Sequence, residues 1–224
     1  MKEICLIFLS SFLSVAVWGQ SFEDDMLTMQ QAYADVDDLY VEMENSVWEE
    51  QSIVKKQNAI IKKQGELYLY EMDDATMLVN KKLILMIDHV SKVIVYDAWT
   101  KERAKHLASQ HVPTSKDIIK KYPNVTYVGE KATYKNYVLE NENIQMSKVE
   151  IAFEAKTGFM RNIRYYYNPK LMQKKVFTEL KLKVIKTNPS FDASTFSDKR
   201  FITKVGKQYQ GVGKYSKYAV RSSK

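Results

Sequence analysis

The sequence predicts an α+β fold: a strongly curved antiparallel β-sheet, a half-barrel of about ten strands, covered by an N-terminal helix and a mid-chain helical segment. Three observations predict it. Apolar and polar residues alternate with period two in many stretches between Leu39 and Val184, as strands with one wet face do. Only two stretches, one at 22–34 and one within 99–122, break that rhythm with helical spacing. So many adjacent strands with one wet face need one large sheet, and its other face must be covered.

The N-terminus reads as an export signal over 1–19. Met1-Lys2 is a short basic start, and Ile4 to Val17 is an apolar run of 14 residues broken only by Ser. That run is too short to span a bilayer. Val17 and Gly19 suit the −3 and −1 sites of a signal peptidase, so the expected mature chain begins near Gln20 and is periplasmic. Cys5, the one cysteine, leaves with the signal. Glu23-Asp24-Asp25 then opens a helix, because acids favour the positive N-terminal end of the dipole. Met26, Met29 and Tyr33 give that helix its apolar stripe.

Strands follow. Leu39, Val41 and Met43 alternate with Tyr40, Glu42 and Glu44, and a more polar strand is expected over 53–63. Residues 65–97 read as a meander of four antiparallel strands, begun by Gly65-Glu66-Leu67-Tyr68-Leu69-Tyr70. Within it, Leu83-Ile84-Leu85-Met86-Ile87 is apolar on both faces. Residues 99–122 are helical, with Pro113 and Pro123 as stops and Ser115 as a cap. Strands resume at 125–128, 134–140, 148–154, 159–167 and 179–184, with Gly158 free to turn the third of these into the fourth. Phe191 and Phe196 are anchors at the end of the sheet. The expected division is a half-barrel domain over 20–202 and a basic Tyr/Lys-rich tail over 203–224. The tail reads either as a solvated end, as a last strand with Tyr on one face, or as a docking segment for anionic lipid or an acidic partner.

Counting removes several chemistries. Without Cys the mature chain has no thiol nucleophile, disulfide or Cys-ligated zinc. The three histidines, His89, His106 and His111, form no His-Glu-x-x-His pair, and no Gly-x-Ser-x-Gly is present. No Gly-rich phosphate loop can be built from Gly65, Gly129 and Gly158. Acids are plentiful, but no acidic pair is singled out by its surroundings. The chain carries a net charge of +7, concentrated in the tail rather than on a groove, which is not a nucleic-acid footprint. No enzyme, metal or cofactor is therefore expected, and no nucleic acid as partner.

Strand alternation places Leu39, Val41, Met43, Leu67, Leu69, Val149, Ile151, Phe153, Leu180 and Leu182 on the inner wall of the sheet. The opposite parity remains open at 65–71 and 82–87, where both faces are apolar. Such a wall is either a filled core or the lining of a hollow.

The order of these pieces resembles the LolA-like periplasmic lipoprotein carriers, in the form seen in exported Bacteroidota proteins. The likeness runs over about 22–202. It rests on the signal, the first helix and two polar strands, then the Gly-started strand Gly65-Glu66-Leu67-Tyr68-Leu69 and a hairpin ending in Tyr96-Asp97. A helical segment follows, then Lys148-Val149-Glu150-Ile151 with a Thr157-Gly158 turn, and Phe196 before Phe201-Ile202. One departure matters. The carriers follow the Gly-started strand with a Pro and an Arg that contacts the lid helix, and Glu71 to Met77 has neither.

The resemblance implies a carrier or chaperone that holds acyl chains of lipid or lipoprotein without covalent chemistry. Its lipid-binding residues would be the ten wall residues together with Met26 and Met29 on a lid helix. Inner- or outer-membrane acceptor proteins would be further partners of a monomer. The other reading is a non-enzymatic cell-envelope structural or interaction subunit with the same fold and a filled cavity.

Overall fold

A computed structural model describes residues 21–103 and 115–223. The expected signal, Cys5, His106 and His111 lie outside the described residues.

Helix α1 spans Phe22–Ala34 and begins in a capping box: the Ser21 hydroxyl accepts from the Asp24 N–H, and the Asp24 carboxylate reaches back to Ser21. Strands β1 (Asp38–Glu49), β2 (Ser52–Gln64), β3 (Leu67–Met72), β4 (Ala75–Val79), β5 (Leu83–Asp88) and β6 (Val93–Ala98) follow as an antiparallel meander. Residues 101–103 are helical, and a short helix α2 covers Ser115–Lys121, as expected on either side of Pro113. Strands β7 (Asn124–Lys131), β8 (Tyr134–Glu140), β9 (Met146–Glu154), β10 (Met160–Tyr167) and β11 (Val176–Thr187) form a second meander. The chain ends in β12 (Ile202–Val205), β13 (Gln208–Gly211) and β14 (Ala219–Ser222).

Twelve of these strands form one curved, unclosed sheet in the order β14-β6-β5-β4-β3-β2-β1-β11-β10-β9-β8-β7. β12 and β13 form a separate hairpin. The α+β half-barrel is thus present, with more strands than the ten expected. The segment after 202 accounts for part of the excess: β14 lies parallel to β6 as the sheet edge, pairing Val220 with Ile94.

The two meanders bury opposite faces of this sheet. Directly paired residues of neighbouring strands share a face. On one face lie Leu39 and Val41 of β1, Leu182 of β11, and Val149, Ile151 and Phe153 of β9, under Phe22, Met26 and Met29 of α1. On the other face lie Leu69, Leu78, Leu85 and Ile94, under Phe196, Phe201, Ile202 and Tyr215 of the C-terminal segment. The register proves the switch. Leu69 pairs with Lys62, and Lys62 with Tyr40, a residue of the outer face of β1. The shared wall expected from sequence is corrected here: Leu67 and Leu69 face away from the other wall residues. Gln64 pairs with Leu67 across a two-residue turn at Gly65, whose φ of +53° suits glycine. That turn sets the parity of β3, so Tyr68 and Tyr70 join the α1 side instead.

The outer face of the second meander is charged. Glu179, 1% exposed, accepts from Arg164 at 2.7 Å, Lys181 at 2.9 Å and Asn162 at 3.1 Å. Glu44 pairs with Lys56 at 2.7 Å and with Lys183. Buried carboxylates persist only with such partners.

Candidate functional site

The α1 side of the sheet is one continuous wall that α1 covers at one end and leaves open at the other. A single cross-strand row runs Val41, Ile61, Tyr70, Met77, Met86, Val95, from β1 to β6. Ile61, Tyr70, Met77 and Val95 in it are half-buried, and the extremes are Val41 and Met86. Val41 is 2% exposed and Met86 is 56% exposed.

At the β1 end, and on across β8 to β11, α1 closes the wall. Met26 and Met29 are buried there with Val149, Ile151 and Phe153, and Leu39, Val41, Met43, Leu180 and Leu182 continue that packing. Phe22 meets Tyr137 edge-on, with ring centres 5.2 Å apart. The helix is fastened by a buried charge. Asp25, 3% exposed, accepts from Lys135 at 2.9 Å and from the Tyr137 hydroxyl at 2.6 Å, two neighbours on one face of β8. Burial, and then the bond to Asp25, push the Tyr137 phenol up, so it stays a donor. A second fastening is steric. The turn at Gly158 runs so close to α1 that a Cβ there would sit 2.8 Å from the Thr28 methyl, and its φ is +74°. These contacts hold α1 against the sheet.

At the β6 end the same wall is open. A hollow of about 580 Å³ is lined by Ile84 and Met86 of β5, Val95, Tyr96 and Asp97 of β6, Glu102, Arg103 and Ser223. That size is typical of small-ligand sites. Its floor is apolar, and Met77 and Tyr70 extend the floor toward α1 in the row above. Burial raises Tyr70, and raises Tyr68 to about 12, so this floor carries no charge near neutral pH. The polar rim is small: Asp97 pairs with Arg103 and accepts from the Ala98 N–H at 2.8 Å. The Ser223 hydroxyl, and then Arg103, hold the Asp97 carboxyl below its usual range.

A smaller hollow, about 380 Å³, lies on the outer face across β7 to β10 and is lined by Asn136, Glu150, Asn162 and Arg164 among others. Glu150 and Arg164 place it on the ion-pair face. Among the described residues no group of three or more His, Cys, Asp or Glu could hold a metal ion.

The structure therefore separates the residues that sequence reading groups together. Ten of the twelve expected lipid-binding residues belong to the wall or helix that α1 fills, and two, Leu67 and Leu69, belong to the opposite core. The hollow is lined by Ile84, Met86 and Val95, with Met77 beside them in the same cross-strand row, none of which sequence reading selects. The available signal was the doubly apolar run at 83–87: one parity feeds the C-terminal core, and the other has to face something else.

The sequence matches no family profile and no curated protein. Among solved structures, the chain is similar to an uncharacterized conserved protein from Thermus thermophilus. That pair is 10% identical over 91% of this chain and 99% of the other, with a TM-score of 0.51. It is also similar to a LolA superfamily protein from Nitrosomonas europaea, 7% identical over 78% of this chain and 98% of that one, TM-score 0.34. A third similarity is to the Pseudomonas aeruginosa MucA/MucB complex, 12% identical over 84% of this chain and 63% of that one, TM-score 0.36. At 10% identity what the chain shares with the Thermus protein is fold. In element order and in its open, curved sheet the chain has the α+β half-barrel that its sequence predicts.

Proposed function

We propose that this chain is a non-enzymatic periplasmic carrier or chaperone that holds an acyl chain of a lipid or lipoprotein in the hollow over β4 to β6. The observation that supports this most is the row from Val41 to Val95. It continues the buried wall beyond α1 and ends in exposed Met86 and an apolar hollow. Contiguous exposed apolar surface beside a small polar rim is how a binding groove looks. Each CH₂ buried yields ~0.8 kcal/mol, so full burial of a long acyl chain would gain on the order of 12 kcal/mol gross. A carrier must also release, and a hollow open on one side takes only part of that gain. Met77 and Met86 suit the task, since thioether side chains adapt to irregular apolar ligands. Asp97 and Arg103 at the rim would face a polar headgroup or the peptide that bears the lipid.

The filled wall under α1 favours a second reading, a cell-envelope interaction subunit that carries no cargo. Native mass spectrometry of the gently purified protein separates the two. The carrier reading expects a lipid adduct on the wild-type chain and none on Met86→Asp. A wild-type chain free of adducts would leave the second reading standing.

A further inference from the structure

We propose that the C-terminal lobe docks the protein on the anionic headgroup layer of a membrane. This does not rest on the cargo reading, because the lysines from Lys199 to Lys217 precede β14, in the part of the lobe whose Phe201, Ile202 and Tyr215 pack on the face opposite the hollow.

From Lys199 to the end, the sequence holds eight Lys and Arg and no acid, against a chain total of +7. The structure turns that run into a fixed surface. Phe201, Ile202 and Tyr215 are buried against β3 to β6 and hold the lobe in place. Asn80 ties it further, donating to the Phe196 carbonyl at 3.2 Å and to Asp198 at 3.3 Å. Lys199, Lys204, Lys207, Lys214 and Lys217 are all exposed on it. Arg200 pairs with Glu71 at 3.5 Å, while none of those five lysines has a carboxylate within ion-pair distance among the described residues. Asp192 and Asp198 lie just before the run and accept from Ser194 and Asn80, not from a lysine. From Lys199 onward the lobe thus presents exposed ammonium groups with no ion-paired carboxylate among the described residues.

The chemistry favours a lipid surface over an acidic polypeptide. A protein partner needs aromatic or apolar anchors at its interface centre. Here the aromatic rings point into the core: Tyr215 is buried, and Tyr209 and Tyr218 pack against that core. What remains outside is spread-out lysine, a point charge that suits phosphate. Val205 adds an apolar tip. It is 52% exposed as the last residue of β12, with Lys204 before it and Lys207 in the turn that follows. An apolar tip framed by lysines is the arrangement that interfacial membrane binders use.

Co-sedimentation of the full chain with phosphatidylcholine vesicles, with and without phosphatidylglycerol, tests this. The readout is the ratio of the two affinities, so any apolar contribution of residues 4–17 cancels. Each lysine near an anionic bilayer raises partitioning roughly fivefold at low salt. The wild-type ratio should be large and fall steeply as salt shortens the Debye length. The variant with Lys204→Gln, Lys207→Gln, Lys214→Gln and Lys217→Gln should lose on the order of a hundredfold or more, with an unchanged circular dichroism spectrum. The matching set of Lys→Arg changes should keep the ratio. Equal binding to both vesicles, no salt dependence, or an unaffected Gln variant would overturn the proposal. So would retention on immobilised polyglutamate without vesicle binding, which would point to an acidic polypeptide instead.

Discussion

The two meanders of this sheet, β7 to β11 with β1 and β3 to β6, solve the same burial problem on opposite faces. The first buries the α1 face and leaves an ion-paired face to water. The second buries the other face under the C-terminal lobe, and its α1-side face is left partly open. One sheet thereby holds a finished core and an unfinished one side by side. The unfinished face is apolar although nothing in the lobe requires it, and that excess is what the binding proposal explains. β2 marks the change: of its 13 residues only Ala59 is buried, since neither cover reaches over it.

The comparison can be broken one half at a time. The largest expected effect is on the fastening of α1. Asp25→Ala leaves Lys135 buried without its partner, and such losses cost about 3–5 kcal/mol. Urea unfolding should show it, with hydrogen exchange rising in α1 and not in the lobe. Replacing both residues by apolar ones, Asp25→Leu with Lys135→Met, should recover much of that loss.

Core truncation should be equally local. Leu139→Ala and Leu69→Ala each remove a fully buried leucine, for about 2–5 kcal/mol. Limited proteolysis should then cut near α1 in the first variant and within 189–220 in the second. Identical cleavage patterns would mean the two cores melt as one.

Acid should weaken the outer face of the first half. Hydrogen bonds from Lys183, then Lys56, hold the Glu44 carboxyl down at about 2, from an ordinary 4.5. A depressed carboxyl stabilises the fold fully above its unfolded value and loses that contribution as pH falls through its folded value. Stability should therefore drop between about pH 4.5 and pH 2. Glu179 acts in the same direction. Burial alone would raise its carboxyl, but the bonds from Lys181, Arg164 and Asn162 outweigh it and hold it low. Thermal melts across this range should show a shallower acid slope for Glu44→Gln than for the wild type.

The smallest stability effect should come from the hollow itself. Met86→Asp changes a side chain that is 56% exposed and should shift stability by only about 0.5 kcal/mol while removing the apolar floor.

Local features of this arrangement were readable in the sequence. The acids at 23–25 and the Met26, Met29, Tyr33 spacing give α1 its limits, because dipole and stripe are both short-range signals. The turns at Gly65 and Gly158 and the alternation at 148–154 give the meanders. Parity across the whole sheet was not readable. Ile60-Ile61-Lys62-Lys63 changes polarity in steps of two, so it marks neither face, and the Gly65 turn then decides on which side Leu69 falls. Nor was the lobe's place readable. Its pairing of Ala219 with Val93 joins residues far apart in sequence, and the Lys and Gly content masks the buried Phe201, Ile202 and Tyr215. The expected wall therefore divides between two covers: Leu67 and Leu69 fall on the opposite face, at a stretch where both parities are open in the sequence.

The central claim is that an acyl chain sits over β4 to β6 and not beneath α1. Photo-crosslinking with a diazirine-bearing fatty acid, followed by peptide mapping, tests it most directly. Labels should fall on peptides containing Met77, Met86 and Val95, and disappear in Met86→Asp. Labels confined to α1 and to β8 and β9, or no labelling at all, would contradict it.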